Sequence, residues 1–150
     1  MDEFDFRQWS HRAADWAADY HESLSERPVR AQSTPGDIAS QIADGPPEKP
    51  EEMETIFADF ERTIPDGMTH WQHPRFFAYF QSNASKAGII AAQWAGAMAA
   101  PCMLWQTSPA ATELATKMVD WLRHAGGLPE GVLGTVQDTA SSATLCHILA

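Results

Sequence analysis

Phe6, Trp9, Ala13, Trp16, Tyr20 and Leu24 recur at steps of three and four, a spacing that lines one face of a helix with aromatic rings. Arg7, Arg12, Asp15, Asp19 and Glu22 fall largely on the opposite side. A lone helix with that much exposed indole would be an adhesive patch, so the stripe requires a surface to dock on. Ser25-Glu26-Arg27-Pro28 closes the segment, and the loop-like stretch behind it offers little core. A helix lying across a partner subunit satisfies both observations.

The rest of the chain reads as further helices separated by strong breaks. Arg27 to Pro50 is rich in Pro, Gly and small polar residues, with Thr34-Pro35 starting a short helix through Ile42 and Asp44-Gly45-Pro46-Pro47 ending it. Met53, Ile56, Phe57, Phe60 and Ile64 share one face of a second amphipathic helix, and Pro65-Asp66-Gly67 is a turn signal. His70 to Phe80 is too aromatic for an ordinary loop and has no helical period, so it is expected to be extended and largely buried. Ser85 to about Ala99, built of Ala, Gly and Ile, predicts a buried helix that Pro101 ends. Ser108-Pro109 opens another, running to about His124 and burying Leu114, Met118, Trp121 and Leu122 before Gly126-Gly127. Gly134-Thr135-Val136-Gln137 reads as a short strand, Asp138 to Ser142 as a turn, and Ala143 to Ala150 as the start of a helix. No internal repeat is visible.

Composition removes several classes of function. An apolar fraction of 44% in 150 residues supports a globular fold with a real core. A formal charge of −10 with no basic stripe argues against a nucleic-acid partner. The apolar run Ala87 to Ala100 is shorter than the roughly 20 residues of a membrane span, and Gln93 interrupts it. Cys102 and Cys146 are the only cysteines, and the acidic opening Met1-Asp2-Glu3-Phe4-Asp5 is unlike an export leader, so two reduced thiols in a cytoplasmic protein are expected.

Two groups of residues carry possible chemistry. A strand, Thr139-Ala140-Ser141-Ser142 and a helix would present free backbone N–H groups and hydroxyls at a helix N-terminus, a setting that favours phosphate. Small polar residues also serve as ordinary caps. Trp71, Tyr79 and Phe80 suit the walls of a slot for a flat side chain, and equally suit a plain core. His70 and His73 lack the further ligands a metal needs, and no metal site is expected. Cys102 has no assignable base, and Ser141 lacks the Gly-x-Ser-x-Gly elbow of a nucleophile.

Pro65-Asp66-Gly67-Met68-Thr69-His70-Trp71, His73-Pro74-Arg75-Phe76-Phe77-Ala78-Tyr79-Phe80, Leu104 to Leu114, Met118 to Leu122 and Gln137 to Leu145 occur in this order. In that combination the chain resembles the group II pyridoxal-phosphate decarboxylases, most of all the aromatic-L-amino-acid type. The resemblance covers nearly the whole chain and is weakest between Arg27 and Pro50. It implies a mostly α chain: an N-terminal helical, dimer-clasping segment over residues 1–133, then the first strand-turn-helix of a fold-type I pyridoxal-phosphate-dependent transferase (α/β) domain over 134–150. It implies an intertwined homodimer that decarboxylates a small-molecule substrate, an aromatic L-amino acid, to the corresponding amine and carbon dioxide. Thr139, Ala140 and Ser141 would hold the phosphate of pyridoxal 5'-phosphate. Trp71, Tyr79, Phe80 and Ser82 would line the substrate pocket, with Pro101 and Met103 contributed across the dimer.

The sequence also departs from that pattern. Gln81-Ser82-Asn83 stands where the aromatic enzymes usually show Pro-Thr, Asp138-Thr139 stands where Gly-Ser is usual, and Met103 replaces a large aromatic. The family's catalytic lysine, its aspartate for the pyridinium nitrogen and its stacking histidine have no counterpart here. Lys49, Lys86 and Lys117 are the only lysines, and none sits in the lysine motif. The resemblance therefore implies an N-terminal part, inactive alone, of an enzyme whose catalytic residues follow. An aldehyde synthase, a histidine or glutamate decarboxylase of the same fold, and a non-catalytic helical dimerisation module stay open as alternatives.

Overall fold

The computed structural model describes residues 2–80, 84–99, 101 and 104–149. The chain forms two compact units, Met1–Ser85 and Lys86–Ala150.

In the first unit the aromatic stripe forms helix α1 (Glu3–Ser23). Its start is a capping box: the Asp2 carboxylate accepts the Asp5 N–H at 2.8 Å and the Asp5 carboxylate accepts the Asp2 N–H at 3.3 Å. Both acids sit at the positive end of the helix dipole. The helix leaves through a 3-10 turn, Leu24–Glu26, whose Leu24 is buried. Helix α2 (Met53–Thr63) meets the middle of the stripe. Trp9 lies 5.5 Å from Phe57, and Trp16 meets Phe60 edge-on at 4.9 Å, the offset geometries aromatic rings prefer. The Arg12 guanidinium lies 5.0 Å from the Phe57 ring and 3.9 Å from Glu54. The stripe thus docks partly within its own chain, while Phe4 and Phe6 remain exposed.

Between the two helices the expected helix from Thr34 is reduced to turns, with a 3-10 segment over Ala39–Gln41. Asp37 accepts both the Thr34 N–H at 2.7 Å and the Thr34 hydroxyl at 2.8 Å, and Gly36 takes φ +101°. A left-handed residue at the second position breaks the helical run before it can propagate. Ile38 then packs on the 3-10 turn Pro65–Gly67, where a Cβ on Gly67 would lie 2.7 Å from the Ile38 Cδ1. That contact accounts for the glycine.

The segment from His70 to Phe80 differs from expectation. It is a succession of turns, with the His73 N–H donating to the His70 carbonyl at 3.0 Å and the Phe76 N–H to the His73 carbonyl at 2.9 Å. His70, His73 and Phe76 are buried, whereas Phe77, Tyr79 and Phe80 are 89, 87 and 96% exposed. Consecutive turns satisfy the backbone locally and alternate which side chains reach the interior, so only the first part is covered.

The second unit holds α3 (Lys86–Met98), α4 (Pro109–Ala125) and α5 (Ala140–Leu149). Pro109 starts α4 as expected, although the Ser108 side chain makes no cap bond. Its end is a Schellman closure: the Gly127 N–H donates to the His124 carbonyl at 3.0 Å and the Leu128 N–H to the Arg123 carbonyl at 3.1 Å, with Gly127 at φ +65°. Two expectations fail here. Among the described residues there is no β-strand, so Gly134 to Gln137 is not one. A strand exists only through a ladder with a neighbour, and none is offered to this stretch. Leu114, Met118, Trp121 and Leu122 of α4 are exposed rather than buried, as is most of α3, because three helices in 65 residues give one another too little cover.

The α1–α2 contact is expected to carry much of the first unit's stability. F57A removes a ring that touches Trp9 and lies under Arg12, and it should destabilise the unit by about 2 kcal/mol in urea unfolding. A loss below about 0.5 kcal/mol would show that α2 is not the dock.

Candidate functional site

The aromatic site begins at the C-terminal turn of α1. Helical spacing carries Tyr20 round to the stripe's face, where it stacks on Trp16 at 5.3 Å and hydrogen-bonds the Nδ1 of His70 at 2.8 Å. Arg27 lies 5.2 Å from the Tyr20 ring and 3.5 Å from Asp66. Two further bonds hold the same stretch. The His70 N–H donates to the Val29 carbonyl at 2.9 Å, and the Ala31 N–H donates to the Thr69 hydroxyl at 3.3 Å. With 3% of its surface exposed, His70 is fixed at side chain and backbone alike.

Burial shifts both partners of this bond. Desolvation holds the His70 imidazole below its ordinary range, and the Arg27 and His73 charges add to that while Asp66 opposes it. Desolvation likewise raises the Tyr20 phenol, with Arg27 pulling the other way. The folded form therefore keeps a neutral imidazole beside a neutral phenol.

Trp71 follows His70 directly and is half-exposed. It stacks on Phe76 at 5.2 Å and on Tyr79 at 5.7 Å, with an interplanar angle of only 12° to the latter. Tyr79 has φ 56°, a left-handed conformation uncommon for a bulky residue. The Arg75 N–H donates to the His73 Nδ1 at 2.9 Å, while the His73 Nε2 is buried without a partner. The result is a three-ring stack of Phe76, Trp71 and Tyr79, buried at its Phe76 end and exposed at its Tyr79 end.

The second candidate lies at the start of α5. Thr139 is its N-cap: the Ser142 N–H donates to the Thr139 Oγ1 at 3.1 Å and the Ala143 N–H to the Thr139 carbonyl at 3.0 Å. The two hydroxyls of Thr139 and Ser142 lie 3.0 Å apart. Helix geometry leaves the first-turn amides of Ala140 and Ser141 without intrahelical acceptors. The Asp138 carboxyl is held below the usual carboxylate range by the Ser142 hydroxyl first and by the Thr139 N–H and its own N–H after it. Ala140 and Ser141 thus present donors, Thr139 is engaged in capping, and an acid stands beside them.

Of the residues singled out from the sequence, Trp71 and Tyr79 come together in one stack, and Phe80 is exposed beyond it. Thr139, Ala140 and Ser141 are neighbours at the α5 start in the second unit. Pro101 is exposed, its carbonyl accepting the Thr107 hydroxyl at 3.3 Å. Ser82 and Met103 lie outside the described residues. Sequence reasoning missed Tyr20 as a polar partner and His70 as its buried mate. The available signal was a tyrosine among tryptophans, since a buried phenol normally finds a hydrogen bond. No group of three or more His, Cys, Asp or Glu among the described residues is arranged to hold a metal, and none of their helices is long and apolar enough to cross a membrane.

With the geometry established, likeness to known proteins is informative. The model of the pyridoxal-dependent decarboxylase conserved domain matches residues 35–150. An aromatic-L-amino-acid decarboxylase from Rattus norvegicus is 39% identical over 158 residues, covering all of this chain and 33% of the relative. The crystal structure of Catharanthus roseus tryptophan decarboxylase in complex with L-tryptophan superposes with a TM-score of 0.91 at 32% identity, covering 99% of this chain and 32% of that one. That of Rhodiola rosea 4-hydroxyphenylacetaldehyde synthase gives 0.79 at 36% identity, covering 86% and 28%. The chain spans about a third of the length of the curated relatives it matches.

The lowered His70 pKa has a consequence for stability. Protonation is disfavoured in the folded state, so the contribution is complete above the ordinary value of 6.5 and is lost as pH falls through the lowered one. Between about pH 7 and about pH 5 the non-titrating H70Q is expected to lose less Tm than the parent. Equal losses would show that His70 does not titrate with unfolding.

Proposed function

The chain belongs to the pyridoxal-dependent decarboxylase family, and from that premise we propose that it is the N-terminal part of an enzyme that decarboxylates an aromatic L-amino acid to the amine and carbon dioxide. The observation that carries the proposal is the stack of Phe76, Trp71 and Tyr79, exposed at its Tyr79 end, in a chain that superposes almost entirely on an enzyme crystallised with L-tryptophan.

Each residue has a role in this reading. Trp71, Tyr79 and Phe80 form the aromatic wall of the substrate pocket, and Ser82 adds a hydroxyl. Pro101 and Met103 reach the pocket across a homodimer interface. Residues 1–133 clasp the partner subunit, and the large cofactor domain of fold type I begins near Gly134. The apolar faces left exposed on α3 and α4 support a clasped dimer, and a sequence with only two cysteines supports the cytoplasm as the proposed compartment.

The start of α5 fits the phosphate of pyridoxal 5'-phosphate by the chemistry of its donors. The amides of Ala140 and Ser141 and the exposed Ser141 hydroxyl suit an anion, aided by the helix dipole. Thr139 contributes by fixing that turn, since its side chain already caps Ser142. When bound, the cofactor supplies the electron sink for the carbon–carboxylate bond. The residues of this chain orient its phosphate and present an aromatic surface to the substrate ring.

An aldehyde synthase is the second reading, favoured by the likeness to the Rhodiola rosea enzyme. Full-length protein loaded with cofactor and offered phenylalanine, tyrosine, tryptophan, dopa and histidine separates the two by product, amine or aldehyde. Amine from an aromatic substrate is the expected result. Absence of both products on every substrate would leave a non-catalytic dimerisation module.

Asp138 gives a further expectation. A carboxylate beside the phosphate donors repels the anion, so D138N should tighten pyridoxal 5'-phosphate binding to the apoenzyme by about tenfold, read by fluorescence titration. Unchanged or weaker affinity would mean that Asp138 does not face the phosphate.

A further inference from the structure

The bond between Tyr20 and His70 joins α1 to the residue that immediately precedes Trp71. We infer that Tyr20 is a positioning residue for the substrate slot, setting through His70 the orientation of the Trp71–Tyr79 stack. The inference deepens the substrate-pocket reading given above and rests on it for its functional half.

Three features support it. First, the bond is long-range, spanning 50 positions, and it is one of three ties that fix the start of the aromatic segment; the others are the His70 N–H to the Val29 carbonyl and the Ala31 N–H to the Thr69 hydroxyl. It is the only one of these three that engages the His70 side chain. Second, His70 is almost fully buried, so an imidazole that loses its phenol partner has no water to replace it and must shift to find another. Third, Trp71 is half-exposed and its ring contacts are Phe76 and Tyr79, both from the same segment. Those contacts hold the rings to one another, so the stack takes its orientation from the two ends of the segment that are themselves fixed, the buried Phe76 ring and the backbone that enters Trp71 from His70. Nothing in the sequence spacing announces this role, because Tyr20 also belongs to the aromatic stripe and stacks on Trp16.

Removing one oxygen isolates the bond. Y20F keeps the ring that packs on Trp16 and under Arg27 but leaves His70 without its partner. The comparison is F57L, which weakens the α1–α2 contact and touches neither Tyr20 nor His70. In full-length protein carrying 5-fluorotryptophan, the Trp71 fluorine resonance is assigned by its loss in W71F. Y20F is expected to move that resonance, and F57L to move the resonance of Trp9 while leaving that of Trp71 in place. On the aromatic amino acid turned over best, Y20F should raise KM by about tenfold with kcat within about twofold, while F57L lowers Tm with KM unchanged. H70F tests the same bond from its other end should Y20F fail to fold.

A Trp71 resonance that stays put in Y20F would overturn the link itself. A resonance that moves with KM unchanged would overturn its role in substrate binding. If KM rises equally in F57L, the effect is general loosening of the unit and the positioning role fails. Wild-type protein without turnover on any aromatic amino acid sinks the pocket reading and with it the functional half, while the fluorine measurement still decides the link.

Discussion

The constraint behind this structure is that the chain carries more aromatic and aliphatic surface than its own backbone can bury. Among the described residues only Leu24, Thr63, Pro65, His70, His73 and Phe76 are buried, all in the first unit. Apolar burial is worth roughly 25 cal/mol per Å² removed from water, so side chains such as Trp94, Trp121 and Leu133 contribute little while they stay exposed. A chain spanning about a third of the relatives it matches meets this condition naturally, since most of their fold has no counterpart within it. The exposed faces of α3 and α4 and the exposed Tyr79 end of the Trp71 stack are consequences of the same shortage.

Within that constraint, local rules decide what forms. Periods of three and four in α1 and α2, proline at the start of α4 and the glycine pair at its end were legible because each acts over a few residues. A capping box or a Schellman closure satisfies orphan backbone groups without help from distant chain. Gly36 and Asp37 show the same principle working against expectation. The proline after Thr34 suggested a helix, but a left-handed glycine and a carboxylate that accepts from Thr34 twice settle the backbone in a turn.

What could not be read from the sequence depends on contacts far apart in the chain. Gly134 to Gln137 has the composition of a strand, yet strand character resides in a ladder and not in the residues themselves. The segment from His70 to Phe80 was expected to be buried because it is aromatic, whereas successive turns send His70, His73 and Phe76 inward and Phe77, Tyr79 and Phe80 outward. Of the site, the pairing of Trp71 with Tyr79 was foreseeable from residue type. The tie that holds it, reaching back to Tyr20, was not, since a hydrogen bond across 50 positions leaves no periodic trace.

The two candidate regions also differ in how rigidly they are made before any ligand arrives. The segment that carries the aromatic stack begins at a buried imidazole with backbone and side-chain ties, so it is ordered before any ligand arrives. The start of α5 is exposed and held by its own cap, Thr139 to Ser142, with Asp138 neutralising part of the helix's positive end. An anion approaching Ala140 and Ser141 therefore competes with a charge the chain supplies itself. The α5 start is thus a site where the chain's own charge sets the terms of anion binding, whereas the order of the aromatic segment comes from packing around His70 and Phe76.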